Sequence, residues 1–214
     1  MIKLIIFDYD GVIVDSFENI HKIYQIICDK LGKSCPETIE EFRKIYGYNY
    51  FECYKKLGIT GEEHEKAGEI FKEEVIKQEP LMFEGVDKVI KELAEKYKLA
   101  LVSSTYKEEV MQKLEKFNLK EYFSSIVGMG TATISKAEGF VNAMKRFGVS
   151  KDETLIIGDR EIDYNAAQKA GIKNKILVDY GWGYNPENLE GFNQKIKVYK
   201  PEDLVKAVEL FEQG

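Results

Sequence analysis

From residue 80 onward the sequence alternates short apolar runs with stretches at helical spacing, and that alternation leaves few folds open. LALVS (99–103), the run at 124–127, TLIIGD (154–159) and KILVD (175–179) have the length and character of buried strands. Between them, Val86, Val89, Ile90, Leu93, Ala94 and Tyr97 fall on one helical face. Further helices are expected over 108–117, 137–147, 163–170 and after Pro201. Strands alternating with helices of this length imply a parallel sheet with crossover helices on both faces. A first apolar run, residues 3–8, opens the chain, and Asp15 and Ser16 supply helix N-cap chemistry after it. The expected class is α/β, a doubly wound parallel sheet with a Rossmann-like core.

Residues 17–78 break the alternation. Ile20, Ile23, Tyr24, Ile27 and Leu31 follow helical spacing up to Gly32, and helices are expected over 40–46, 50–57 and 62–77. No strand signal interrupts them. The reading is a small all-helical cap domain, residues 16–79, inserted after the first strand into a core made of 1–15 and 80–214.

Bulk properties narrow the function. The 214 residues carry a net charge of −6 with no basic stripe, which excludes a non-specific nucleic-acid binder. KEEVMQKLEKFNLKEY alternates its signs and reads as a solvated helix face. No apolar run approaches a membrane span, and the N-terminal apolar stretch is too short for a signal peptide. Cys28, Cys35 and Cys53 fit no zinc spacing and read as free thiols. A cytoplasmic protein is expected.

In a doubly wound sheet the site lies outside the carboxyl ends of the strands. Asp8 and Asp10, Ser103 and Ser104, and Asp159 and Asp163 all fall at or just beyond such ends. One aspartate there is commonly only a cap or turn residue; the joint placement is what carries weight. Four carboxylates in one crevice repel each other unless a hard cation joins them, and magnesium prefers oxygen ligands while leaving room for a substrate phosphate. An acidic protein that handles phosphate must place local positive charge at its site, from metal, lysine or backbone N–H groups. The N–H groups around Tyr9 and Gly11 are expected to point at phosphate oxygens.

The motifs now resemble a family. FDYDGVIVDS is similar to the first motif of the haloacid dehalogenase-like hydrolases, an apolar strand followed by D-x-D-G-[TV]. LALVSS resembles the second, Lys136 in TISKAEGF sits where the third places its lysine, and IIGDREIDYNAAQKAGI resembles the fourth. Ala137 replaces the proline common after that lysine. The order holds over residues 2–172, and the helical insert is similar to the cap of the phosphoglycolate phosphatase-like branch. The resemblance implies that Asp8 attacks phosphorus, that Asp10 serves as acid and then base, that Ser103 binds a phosphoryl oxygen and that Lys136 offsets charge. It implies a Mg2+ held by the Asp8 side chain, the Asp10 carbonyl and Asp159, with Asp163 as ligand through water or behind the others.

A second acid at Asp10 separates phosphoryl transfer from halide chemistry, whose leaving group needs no proton. The expectation is a magnesium-dependent phosphatase acting on a small phosphorylated metabolite, phosphoglycolate-like by resemblance. A sugar-phosphate mutase and a non-catalytic phosphate-binding protein on the same fold are the alternatives. Arg43, Gly47, Tyr48 and Ser104 are candidate substrate contacts, while His21 and His64 read as structural. The oligomeric state is not readable.

Overall fold

The computed structural model describes residues 1–46, 50–128, 135–183, 189 and 196–212. Among them the elements run, in chain order, β1 Leu4–Phe7, β2 Val14–Asp15, α1 Phe17–Leu31, α2 Ile39–Ile45, α3 Tyr50–Lys56, α4 Glu63–Val75, β3 Leu81–Met82, α5 Val86–Lys96, β4 Lys98–Ser103, α6 Lys107–Lys116, β5 Phe123–Gly128, α7 Lys136–Phe147, β6 Thr154–Gly158, α8 Glu161–Lys169, β7 Asn174–Leu177 and α9 Asp203–Glu212. The chain divides into two compact units, Met1–Asp15 with Leu81–Gly214, and Ser16–Pro80.

The first unit is built on a parallel sheet of order β5-β4-β1-β6-β7. Strand β1 lies at its centre, with Leu4 opposite Lys98 of β4 on one side and Thr154 of β6 on the other. Successive side chains of β1 point to opposite faces, and both faces are apolar because both are covered. Ile5 and Phe7 pack with Val86, Ile90 and Leu93 of α5, Val110 and Leu114 of α6, and Leu204 and Val208 of α9. Leu4 and Ile6 pack with Phe140 and Ala143 of α7 and Ala166 and Ala167 of α8. This is the α/β, doubly wound class. It makes β1, β4 and β6 adjacent, so the residues that follow them leave the sheet side by side.

Element ends differ from expectation by a residue or two. Helix α7 starts at Lys136, because Ser135 accepts from the Glu138 N–H at 3.3 Å while the Glu138 carboxylate accepts from the Ser135 N–H at 2.7 Å. Ser16 occupies the N-cap of α1, but its side chain makes no cap hydrogen bond; its backbone (φ −108°, ψ 2°) is not the extended conformation that aims an N-cap hydroxyl at the helix. A short antiparallel pair, β2 with β3, was not expected from the sequence; it joins Val14 to Met82 and Asp15 to Leu81.

The second unit is helical. Its core gathers Tyr24, Phe42 and Tyr46, with Tyr24 and Phe42 ring centroids 5.2 Å apart. His21 stacks on Phe42 at 4.7 Å, and its Nε2 pairs with the Pro36 carbonyl at 2.8 Å. All three cysteines lie in this unit as free thiols. No helix among the described residues is long and apolar enough to cross a membrane.

Candidate active site

Asp8 is the first residue past β1. Its N–H continues the ladder to the Ile157 carbonyl at 2.9 Å, which fixes where the side chain leaves the sheet. Asp159 is the first residue past β6, and Asp163 sits in the first turn of α8. Asp8, Asp159 and Asp163 are all buried, and each offers an oxygen such that the three lie within 4.8 Å of one another. Asp163 turns back on its own helix start, where its Oδ2 accepts from the N–H groups of Asp159 at 3.2 Å and Arg160 at 3.1 Å. That leaves its Oδ1 for Lys136.

Lys136 is the counter-charge. Its Nζ lies 2.8 Å from Asp8 Oδ2 and 2.5 Å from Asp163 Oδ1, with all three side chains buried. The Ser135–Glu138 cap starts the helix at this lysine, so Ala137 in place of proline does not displace it. Burial alone would push the ammonium down, but the charges of Asp163 and Asp8 outweigh it and hold Lys136 above the usual lysine range. Asp8 is pushed up to about 7, by burial first, against the pull of Lys136 and with added repulsion from Asp163 and Asp10. Asp159 is driven well above the usual carboxylate range by burial and then by Asp163 and Asp8.

Three buried acids against one buried base leave negative charge uncompensated. Asp159 Oδ1 is buried without a hydrogen-bond partner among the described residues. A hard divalent cation answers both observations, and the all-oxygen donor set suits one. Close packing holds this arrangement. A Cβ on Gly11 (φ +75°) would overlap the Asp159 carboxylate, and one on Gly181 would overlap the Gly11 carbonyl and Asp159 Cβ. The Trp182 N–H then donates to Asp159 Oδ2 at 2.7 Å.

The remaining expected residues divide. Asp10, two residues past Asp8, accepts at Oδ2 from the Thr105 hydroxyl at 2.6 Å. Ser103 is fully buried and its Oγ accepts from the Thr105 N–H at 3.0 Å, whereas Ser104 is exposed. The N–H groups of Tyr9 and Gly11 do not match expectation: Tyr9 donates to Asp8 Oδ1 at 2.8 Å and Gly11 to the Val14 carbonyl at 2.9 Å, so the tight loop itself uses both. Arg43 lies in the last turn of α2 in the helical unit, exposed, with its guanidinium 4.4 Å from the centroid of the Phe17 ring. Gly47 and Tyr48 lie outside the described residues.

The stretch expected as a solvated helix face is not one throughout. Glu109 is 3% exposed and Lys113 2%, one helical turn apart on α6 beside Val110 and Leu114. Burial pushes Glu109 up to about 8, the nearby Asp10 charge adds to this, and Lys113 opposes it. The folded state therefore binds this proton more tightly than the unfolded chain, whose value is near 4.5. Ionising Glu109 costs nothing below that value, costs more as pH rises towards 8, and levels off beyond. Glu109→Gln should match the wild type in denaturant midpoint near pH 4.5 and exceed it by a widening margin up to pH 8.5. A margin independent of pH would contradict the assignment.

Comparison with known proteins identifies the family. The model of the haloacid dehalogenase-like hydrolases matches residues 5–176, and the chain belongs to that family. It is 25% identical over 214 residues to the pyrophosphatase PpaX of Listeria monocytogenes, covering 97% of this chain and 96% of that protein. It is 26% identical over 216 residues to the phosphoglycolate phosphatase of Aquifex aeolicus, covering 97% of each. The crystal structure of a predicted phosphatase from Clostridium acetobutylicum shares the fold, with a TM-score of 0.83 at 24% identity over 98% of this chain and 99% of that one. The chain is an enzyme of the family's phosphatase class.

Proposed function

We propose that the protein is a magnesium-dependent phosphatase that hydrolyses a small, phosphoglycolate-like phosphomonoester through an aspartyl-phosphate on Asp8. The observation that carries this reading is the buried Asp8–Lys136–Asp163 chain with Asp159 beside it. It combines a carboxylate at a strand end, a fixed cation and spare oxygen ligands. Asp8, Asp159 and the Asp10 carbonyl would hold Mg2+, with Asp163 behind them. When bound, the ion supplies positive charge that keeps Asp8 ionised and lowers the repulsion a phosphate would meet.

The chain's own residues do the rest. An Asp8 oxygen attacks phosphorus as the bond to the leaving oxygen breaks, and Asp10 gives that oxygen its proton. Asp10 then takes a proton from water; the water oxygen attacks phosphorus, the Asp8–phosphorus bond breaks, and phosphate leaves with Asp8 restored. Lys136 holds Asp8 in place and offsets charge throughout, and Ser103 offers the hydroxyl that binds a phosphoryl oxygen. Phosphoryl transfer asks mainly for this positioning and neutralisation. The free cysteines support a reducing, cytoplasmic setting.

The test is phosphate release from a panel containing phosphoglycolate, hexose phosphates, pyrophosphate and p-nitrophenyl phosphate, with magnesium and then with chelator. Turnover of a phosphomonoester that chelation stops and magnesium restores is expected. Failure to hydrolyse any phosphomonoester, or conversion of a hexose 1-phosphate to its 6-phosphate without free phosphate, would overturn the reading.

A further inference from the structure

Thr105 belongs to none of the motifs above. It lies two residues past β4, 7% exposed, in the short link to α6. It makes two hydrogen bonds within the site. Its hydroxyl meets Asp10 Oδ2 at 2.6 Å, and its N–H donates to Ser103 Oγ at 3.0 Å. The link is held from behind as well. Gly128, at the end of β5, lies so close to the Thr105 carbonyl and the Lys107 backbone that a Cβ there would overlap them. The hydroxyl is therefore carried on backbone fixed by two neighbouring strands.

We propose that Thr105 is a positioning residue for the reaction, holding the Asp10 carboxyl in the orientation from which it gives up its proton. This rests on Asp10 being the acid. The residue type suits the task. A hydroxyl donates to an ionised carboxylate and, by turning its hydrogen, accepts from a protonated one. One short contact can thus persist while Asp10 loses its proton to the leaving oxygen and regains one from water. A backbone N–H or a lysine can only donate, and so could not accept from the O–H of the protonated form. The branched side chain also limits Thr105 to few rotamers, so the contact costs little ordering.

The role predicts dependence on the leaving group. An acid matters most when the departing oxygen is strongly basic, so p-nitrophenyl phosphate should need Asp10 less than phenyl phosphate. The quantity to read is kcat/KM, which ends at departure of the leaving group. Thr105→Val should lower kcat/KM on phenyl phosphate by about tenfold or more, part of the ~10²–10⁴ that a positioned acid contributes. On p-nitrophenyl phosphate it should lose less than about threefold, and Thr105→Ser should recover most of the phenyl phosphate rate. Equal losses on both substrates, or a serine variant as poor as valine, would overturn the proposal. Asp10→Asn, run in parallel, separates the two levels. A leaving-group split in that variant without one in Thr105→Val removes Thr105 alone. No split in Asp10→Asn removes Asp10 as the acid, and Thr105 with it.

Discussion

Asp8→Asn should abolish phosphate release, by about four orders of magnitude or more, while leaving the fold intact. An amide nitrogen or carbonyl does not form the covalent intermediate, so the loss is of a nucleophile and not of a fraction of binding. The expected stability change has the opposite sign from that of most buried substitutions. Asp8 is a buried carboxylate whose burial and acidic neighbours push it up to about 7, so a neutral asparagine relieves repulsion with Asp163. Metal-free Asp8→Asn should melt at or above the wild-type temperature. Magnesium should raise the wild-type melting temperature and raise that of the variant much less. Turnover above about a hundredth of wild type would remove Asp8 as nucleophile. A melting temperature well below wild type would contradict the charge balance described above.

Lys136→Met should lose both activity and stability. The ammonium is buried between Asp8 and Asp163, and methionine fills similar volume without the charge. Removing one partner of a buried charge network typically costs about 3–5 kcal/mol, because the carboxylates left behind have no counter-charge. Turnover should fall by about a thousandfold, the scale seen when one charge-stabilising group is lost from such a site. The stability deficit should shrink as pH falls from 8 to 5, since the abandoned carboxylates can then take protons. Denaturant unfolding without metal at the two pH values, together with phosphate release, reads both effects. A variant as stable as wild type at pH 8 would contradict the buried pairing.

These two residues were legible in the sequence for different reasons. Asp8 and Asp159 directly follow apolar runs, and a parallel sheet brings such ends together. Position alone therefore marked them. Lys136 was one lysine among many, and only motif order singled it out; its contact depends on the cap made by Ser135 and Glu138 on either side of it. Thr105 and Glu109 carried no comparable signal. The first matters because the link after β4 returns towards the loop after β1, which spacing does not encode. The second was hidden in an alternating charge pattern that usually marks a wet helix face, yet its face of α6 is buried. Gly181 and Trp182 read as a turn first and as a wall of the site only second, because their closeness to Asp159 joins segments far apart in sequence.

The pairing of β2 with β3 carries a consequence for the chain as a whole. Val14 and Asp15 run antiparallel to Met82 and Leu81, so the chain leaves and re-enters the sheet unit at neighbouring points. Seen from the sheet, everything from Ser16 to Pro80 is one very long hairpin loop. Closing a flexible loop costs entropy that grows only with the logarithm of its length, about 0.6 kcal/mol per doubling. The helical block could therefore be lengthened, shortened or exchanged at little expense to the sheet. Asp8, only seven residues before Asp15, would keep its neighbours through such a change.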